Sequence, residues 1–378
     1  MFEKIIKQFY GLISQLLSKA LMNQIKIAGF FALITISISG FSQTAKYSNE
    51  FLKIGVGARA LGMSNAFVAS ADDVTSGYWN PAGLTRLNSD FQFSLMHSEY
   101  FAGIAAYDYA ALATKLDSNS AIGFSFIRFG VDDIPNTTQL IDAEGNIDFN
   151  RVSSFSAADY AGLITYARKS GIEGLSYGAN VKIIHRSVGD FAKAWGFGFD
   201  VGTQLVKDKW IFAATGRDIT STFNAWSSNL DKETEEVFIL TGNELPENSV
   251  EVTLPELVLG ISRKFIFSEK IGMRAELDLK NTFDGKRNVL VNSDPISIDP
   301  SLGIEATYAD VIYLRGGIGN FQVTTDIDGN RITSFQPNFG IGVKLNRFSI
   351  DYALTDIGDR SVALYSNVFS LRIDITRK

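Results

Sequence analysis

From residue 91 onward the chain alternates apolar and polar residues with period two, in segment after segment, many of them ten or more residues long. Trp195, Phe197, Phe199 and Val201 occupy one face of such a segment, and Gly196, Gly198, Asp200 and Gly202 the other. Ile271, Met273, Ala275, Leu277 and Leu279 face away from Gly272, Arg274, Glu276, Asp278 and Lys280, and Phe369, Leu371, Ile373 and Ile375 oppose Ser370, Arg372 and Asp374. Side chains repeat every second residue only in extended backbone, so these segments read as β-strands with one apolar face each. A soluble antiparallel sandwich alternates as well, with its apolar face inside, so alternation alone leaves two classes open.

Connection lengths separate them. Fourteen candidate strands lie near 91–97, 105–115, 121–129, 156–168, 174–187, 193–207, 210–219, 253–265, 270–280, 300–308, 311–320, 334–345, 348–355 and 366–376. The even-numbered connections are short, at 116–120, 169–173, 208–209, 268–269, 309–310 and 346–347, whereas the odd-numbered ones include the long segments 130–155, 220–252, 281–299 and 321–333. Short turns at one end and long loops at the other is the pattern of outer-membrane barrels, and an even strand number sets both termini on the periplasmic side. The strands also exceed the five or six residues usual in globular sheets and match what a tilted membrane strand needs. A closed barrel leaves no open edge in hydrocarbon. The expectation is therefore an all-β, 14-stranded antiparallel transmembrane β-barrel whose apolar faces meet outer-membrane lipid; a soluble β-sandwich is the runner-up.

The polar faces would then line the lumen, with Lys182, Arg186, Asp200, Arg274, Glu276, Asp278, Arg315, Lys344, Asp351, Arg372 and Asp374 among them. Both signs occur in similar numbers, which predicts mutual pairing rather than a field of one sign. The strands AAYDYAALAT and AADYAGLITYAR alternate poorly, so either both their faces are covered or the register assigned to them is wrong.

Composition removes several chemistries. The chain has no Cys, which excludes disulfides, thiolate metal clusters, cysteine nucleophiles and a lipidated N-terminal cysteine. A formal charge of −6 gives no basic footprint for nucleic acid, and two histidines, His97 and His185, argue against a histidine metal site. The 46% hydrophobic content excludes disorder.

The N-terminus reads as an address. Lys26 supplies a basic region, Ala28 to Ser39 an apolar one, and Gly40-Phe41-Ser42 small residues for cleavage before Gln43. The apolar run is shorter than the roughly 20 residues a helical span needs, so removal is the better reading. Residues 1–21 form an amphipathic extension ahead of Met22, leaving Met1 and Met22 both open as the start. Three regions follow: 1–42 signal peptide with extension, 43–89 a plug or hatch, and 90–378 the barrel. The middle region, rich in Gly, Ala, Asn and Asp, lacks alternation and has little hydrophobic mass, so the lumen is its natural host. Within it Asn80 can cap a short helix, Pro81 suits the first helical position, Gly83 permits close packing, and Asp72-Asp73 suggests a turn or a second cap.

The run Phe51-Leu52-Lys53-Ile54-Gly55-Val56-Gly57-Ala58-Arg59-Ala60-Leu61-Gly62-Met63, followed by Ala66-Phe67-Val68-Ala69, Ala71-Asp72-Asp73 and Tyr78-Trp79-Asn80-Pro81-Ala82-Gly83-Leu84, closely resembles the N-terminal signature of the PorV/PorQ family. That family is related to FadL-like long-chain fatty-acid transporters, which share the Asn-Pro-Ala element. The signature covers about a tenth of the chain. The resemblance implies an outer-membrane barrel of Bacteroidota-type bacteria acting in type IX secretion, where such proteins bind secreted cargo at the cell surface. Its residues here are Gly55, Gly57, Arg59, Gly62, Asp72, Asp73, Trp79, Asn80, Pro81 and Gly83. The signature fits the generic family at least as well as the dedicated secretion component.

Other readings of the same residues are weaker. Gly55-Val56-Gly57-Ala58-Arg59-Ala60 formally fits a dinucleotide pattern, but no strand-helix-strand unit surrounds it. Asp326-Ile327-Asp328-Gly329-Asn330 lacks the later Glu of a calcium loop, and it and Glu144-Gly145-Asn146 read as hairpin tips. His97 and His185 are placed near one rim without a nucleophile motif. No enzyme activity and no cofactor are called for.

Two functions from different classes remain. One is a docking barrel of type IX secretion or surface attachment, whose partners are secretion-system or cargo proteins bound through the loops 130–155 and 220–252; Phe223, Trp226 and Phe238 are apolar candidates for that interface. The alternative is a FadL-like channel taking up long-chain fatty acids or another hydrophobic small molecule.

Overall fold

The computed structural model describes residues 48–141, 146–242, 244–325, 329–357 and 365–376. The signal-peptide reading of 1–42 and most of both hairpin-tip readings fall outside those residues. The wall is built from β1 (Phe91–Tyr100), β2 (Ala105–Lys115), β3 (Ser120–Asn136), β4 (Ser153–Lys169), β5 (Leu175–Val188), β6 (Ala192–Lys207), β7 (Trp210–Arg217), β8 (Thr222–Ser228) and β9 (Ser249–Thr253). It continues with β10 (Glu256–Ile266), β11 (Ile271–Thr282), β12 (Ser297–Tyr308), β13 (Ile312–Thr325), β14 (Arg331–Leu345), β15 (Phe348–Thr355) and β16 (Ser366–Ile375). Every pairing is antiparallel, β7 pairs with β10, and β16 closes on β1.

The ring is a closed 14-strand barrel. β8 and β9 are not extra staves: β6 pairs with β7 over Val201–Lys207 and with β8 over Ala192–Phe197, so β7 and β8 are two stretches of one stave, as β9 and β10 are of the next. The apolar loop 220–252 is therefore partly wall, a correction to its reading as loop. Likewise β3 and β4 run well into 130–155.

Burial along β6 decides between barrel and sandwich. Gly196, Gly198 and Asp200 are buried, while Trp195 is 61% exposed and Phe197 and Val201 are exposed beside it. A water-soluble sandwich buries its aromatic face; here that face is the outer surface, as lipid requires. Leu112, Phe124, Ile164, Phe212, Leu302 and Ile350 continue the same exposed band on other strands. One polar and aromatic row crosses five strands in register: His97, Asp108, Arg128, Tyr160, His185 and then Trp195 on the sixth.

The inner segment, residues 48–87, runs against the inward faces. Its first described residues sit at the long-loop end, where Asn49 donates to Thr253 Oγ1 (2.8 Å) and Asn224 donates to Asn49 (2.9 Å). The chain then descends to Phe91, which pairs with Ile375 at the short-turn end. Only short helical turns form on the way, among them α1 (Ala58–Leu61), α2 (Ser76–Trp79) and a 3-10 turn at Pro81–Arg86, as expected for a stretch broken by Gly, Asn and Pro. The two poorly alternating strands are covered on their inward faces only, by the inner segment, so that both faces are apolar. Tyr107, Tyr109, Ala161 and Leu163 are buried inward among residues of the inner segment, and Leu112, Ile164 and Tyr166 face out.

Candidate functional site

The signature residues form the frame of the inner segment. Asn80 Oδ1 accepts from the Ala82 amide (3.1 Å), and its amide group donates to the carbonyls of Val68 (3.2 Å) and Thr203 (3.1 Å), so one side chain caps the turn at Pro81 and ties it to β6. Trp79 Nε1 donates to the Val56 carbonyl (2.9 Å). Gly55 and Gly57 adopt positive φ, and Gly57 N–H points at Met96 Sδ (2.9 Å). Gly83 lies under the Ala71 carbonyl, and Gly62 meets Gly340 of β14, where a Cβ would come within 2.9 Å of the backbone. The Gly55–Ala60 run leads into one turn of helix and no strand-helix-strand unit.

Charge holds this segment to one side of the wall. Arg59 forks onto Glu305 of β12 (Nε to Oε2, 3.0 Å; second nitrogen to Oε1, 3.1 Å) and also reaches Asp72 (2.7 Å) and Asp73 (3.2 Å). Asp73 binds Arg372 of β16 (2.7 Å) and accepts from Thr75 through its other oxygen, so the expected turn exists and doubles as an anchor. Arg315 joins Glu305 (2.8 Å) to Asp351 (2.7 Å). Burial by itself would raise the Asp72 carboxyl, but attraction to Arg59, Arg274 and Arg86 outweighs it and holds that group well below the usual carboxylate range. Asp278 accepts from the amides of Phe67 (2.8 Å) and Val68 (2.9 Å), and Glu276 from those of Ala69 (2.7 Å) and Ser70 (3.2 Å). Elsewhere Lys182 pairs with Asp200 (2.8 Å) and Asp218, Arg186 with Asp159 (2.7 Å) and Glu251 (3.1 Å), and Lys344 with Asp374 (3.6 Å). The predicted lumen charges thus pair among themselves and with the inner segment.

Two cavities flank that segment. The one at the short-turn end, about 500 Å³, is lined by the charge network of Arg59, Asp72, Asp73, Arg274, Arg315 and Arg372. The other, about 490 Å³, opens at the long-loop end above Leu61, Val68 and Trp79, with Tyr100, Phe101 and Phe129 on its wall. Arg217 lies flat against Tyr78 and Trp79 at 5.0 and 5.6 Å from the ring centres.

The apolar loop candidates do not form one surface. Phe223 and Trp226 belong to β8, whose period two sends Phe223 outward, 48% exposed, and Trp226 inward, where it covers Arg186 and donates to Glu251 (2.9 Å). Phe238 is half-buried on α3 (Lys232–Leu240), the helix between β8 and β9; its exposed apolar residues are Ile239 and Leu240, 63% and 85%. His97 and His185 lie at one level but with three strands between them, both outward, one bonded to Asp108 (2.7 Å) and the other packed between Tyr160 and Trp195. That separation rules out their sharing a site.

Sequence reasoning missed an amide panel on the upper cavity. Gln336 and Asn338 of β14 project inward beside Asn320 and Gln322 at a register break in β13. The signal was present, since Ser334, Gln336, Asn338 and Gly340 oppose Phe335, Phe339 and Ile341.

No known family profile and no curated protein matches the sequence. The fold does match solved structures. A monoaromatic hydrocarbon channel, CymD, superposes with a TM-score of 0.53 at 13% identity over 86% of this chain and 98% of that one. The toluene transporter TodX of P. putida gives 0.52 at 13% identity over 86% and 99%. The architecture is therefore the closed antiparallel β-barrel that these two channels share.

Proposed function

We propose that this chain is a non-enzymatic outer-membrane channel that takes up a hydrophobic small molecule, the inner segment acting as its plug. The observation that carries the reading is the cavity of about 490 Å³, open toward the long loops, lined on one side by Tyr100, Phe101 and Phe129 and floored by the inner segment. A pocket of this size with an apolar wall and a few convergent polar groups suits a small amphipathic or hydrophobic ligand. Long-chain fatty acids and aromatic hydrocarbons are the substrate classes to test first, the second because both fold neighbours carry such names. Passage requires the inner segment to leave the lumen or shift within it, which breaks the carboxylate contacts of Glu276 and Asp278.

The contact between Ser70 and Ser262, whose hydroxyls lie 3.2 Å apart, allows a direct test. The chain has no native cysteine, so Ser70→Cys with Ser262→Cys creates the one possible disulfide, which would tie the segment to β10. In a host lacking its own channel, the wild type should speed uptake of oleate or toluene, the oxidised double variant should not, and reductant should restore it. Uptake no faster than in the empty host, or undiminished by the crosslink, counts against the proposal.

The docking reading keeps one observation, the exposed Ile239 and Leu240 at the tip of α3. Deleting α3 should abolish cargo attachment and spare uptake if docking is the role; loss of neither removes that reading.

A further inference from the structure

We propose that the ligand of the upper cavity carries a polyhydroxylated, saccharide-like head on its apolar body. The inference rests on the reading of that cavity as a ligand site and names the chemistry it selects.

The cavity has two unlike walls. Tyr100, Tyr107 and Phe129 of β1 to β3 pack edge to face, with ring centres 6.3 and 6.1 Å apart, and Tyr100 and Phe129 reach the cavity surface. Three strands and more around the ring, β13 and β14 present Asn320, Gln322, Gln336 and Asn338 to the same space. The amides order one another: Asn320 donates to Gln336 Oε1 (2.6 Å), Gln322 donates to Asn320 Oδ1 (3.3 Å), and Asn338 Oδ1 accepts from the Asp356 amide (3.2 Å). Those bonds use the oxygens of Gln336 and Asn338 and leave their amide hydrogens, among the described residues, without a protein acceptor. A carboxamide both donates and accepts, the requirement of neighbouring hydroxyls that do the same. A hydrocarbon filling the cavity would strip water from these groups and return nothing, whereas a hydroxylated ring replaces each lost water bond.

An anionic head fits less well. Three of the four cations that line the cavity are already matched by carboxylates: Lys280 with Asp299 (3.0 Å), Lys53 with Glu50 (2.8 Å), and Arg287 with Asp284 (2.9 Å). Arg217 is stacked on Tyr78 and Trp79 and is the cross-strand neighbour of buried Glu256. The aromatic wall supplies flat apolar area for the C–H face of a sugar ring or for the tail behind it.

Isothermal titration of the purified full chain in a sugar-free detergent tests this with four probes: hexyl β-glucoside, hexyl β-maltoside, hexanol and decanoate. The glycosides should bind saturably and at least about tenfold more tightly than hexanol. Gln336→Leu and Asn338→Leu should weaken glycoside binding by about tenfold or more while leaving hexanol unchanged. Heat-modifiable migration of each variant on gels reports that the barrel is folded. Hexanol or decanoate binding as tightly as the glycosides, glycoside binding indifferent to both variants, or no saturable glycoside binding overturns the inference. Oleate uptake without glycoside binding would sink this inference and spare the channel reading; glycoside binding without uptake of any probe would do the reverse.

Discussion

The inner segment meets two walls of different chemistry. Toward β1 to β5 it packs mainly by shape, with Val56, Trp79 and Leu84 in one apolar cluster with Tyr107, Tyr109, Ala113, Ala161 and Leu163, to which neutral bonds from Gly57 to Met96, Val74 to Gln92 and Asn180 to the Gly77 carbonyl are added. Toward β10 to β16 it is held by directed bonds, through Glu276, Asp278, Glu305 and Arg372. The first wall loses stability in proportion to the volume removed from it; the second loses it according to what charge is left without a partner. One segment can thus be seated tightly by shape and positioned in register by charge.

The largest effect is expected on the charged wall. Asp73→Ala removes the nearer carboxylate partner of Arg372 and one partner of Arg59, leaving buried guanidinium charge under-compensated, and should cost about 4 kcal/mol in urea unfolding of the barrel in lipid vesicles. Leu84→Ala on the packed wall, where the side chain is fully buried, should cost about 3 kcal/mol. The two losses should add to within about 0.5 kcal/mol because the walls share no partner, whereas Asp73→Ala and Arg372→Ala should be strongly non-additive. Coupling between Asp73 and Leu84 as large as that between Asp73 and Arg372 would erase the distinction between the walls.

The same contrast explains what could be read from the sequence. The charged wall alternates cleanly, so Arg274, Glu276, Asp278, Arg315 and Arg372 were legible as lumen residues before any coordinates. What Glu276 and Asp278 hold was not, because their donors are the backbone amides of Phe67 to Ser70, which leave no mark in the side-chain pattern. The packed wall looked irregular because the inner segment covers its inward face while its outward face is apolar and exposed, so the polar member of the alternation is lost, as at Ala111, Ala113 and Ala161. β8 escaped for the opposite reason. It starts inside the exposed band, with Phe223 opposite Phe197, but reaches the level of Trp195 already at Ala225 and passes it at Ser227, so too few outward residues are apolar for the signature of a strand to show. The amide panel was legible as inward polar residues but not as a site, since its meaning depends on which strands close around the same cavity.

A smaller effect should come from Asp278→Asn. The amide oxygen can still accept from Phe67 and Val68, but without charge, so the cost should be about 1 kcal/mol, with faster proteolysis confined to the inner segment. Asp278→Ala, which leaves both amides without their acceptor, should cost more. Equal losses for the two would mean that the carboxylate acts through its charge and not as an acceptor.

Acid should do least of all over the ordinary range. Asp72 contacts Arg59 (2.7 Å), Arg274 (3.4 Å) and Arg86 (3.7 Å), and its folded-state pKa is depressed by that attraction against the opposing pull of burial. A depressed carboxyl contributes stability that is present above its unfolded value, near 3.9 for aspartate, and is lost only as pH falls through the lower folded value. The Arg59–Asp72 cluster should therefore keep its grip from neutrality down to about pH 4, and the share of the inner segment's protease resistance that Asp72→Asn removes should stay flat across that window. At lower pH the resistance should fall, and Asp72→Asn should abolish much of that fall by removing the titrating group. Release of the segment at about pH 5 to 6 in the wild type would show that its seat depends on a group of ordinary or raised pKa, and would move the weight of the attachment from the Arg59 cluster to the carboxylates of Glu276 and Asp278.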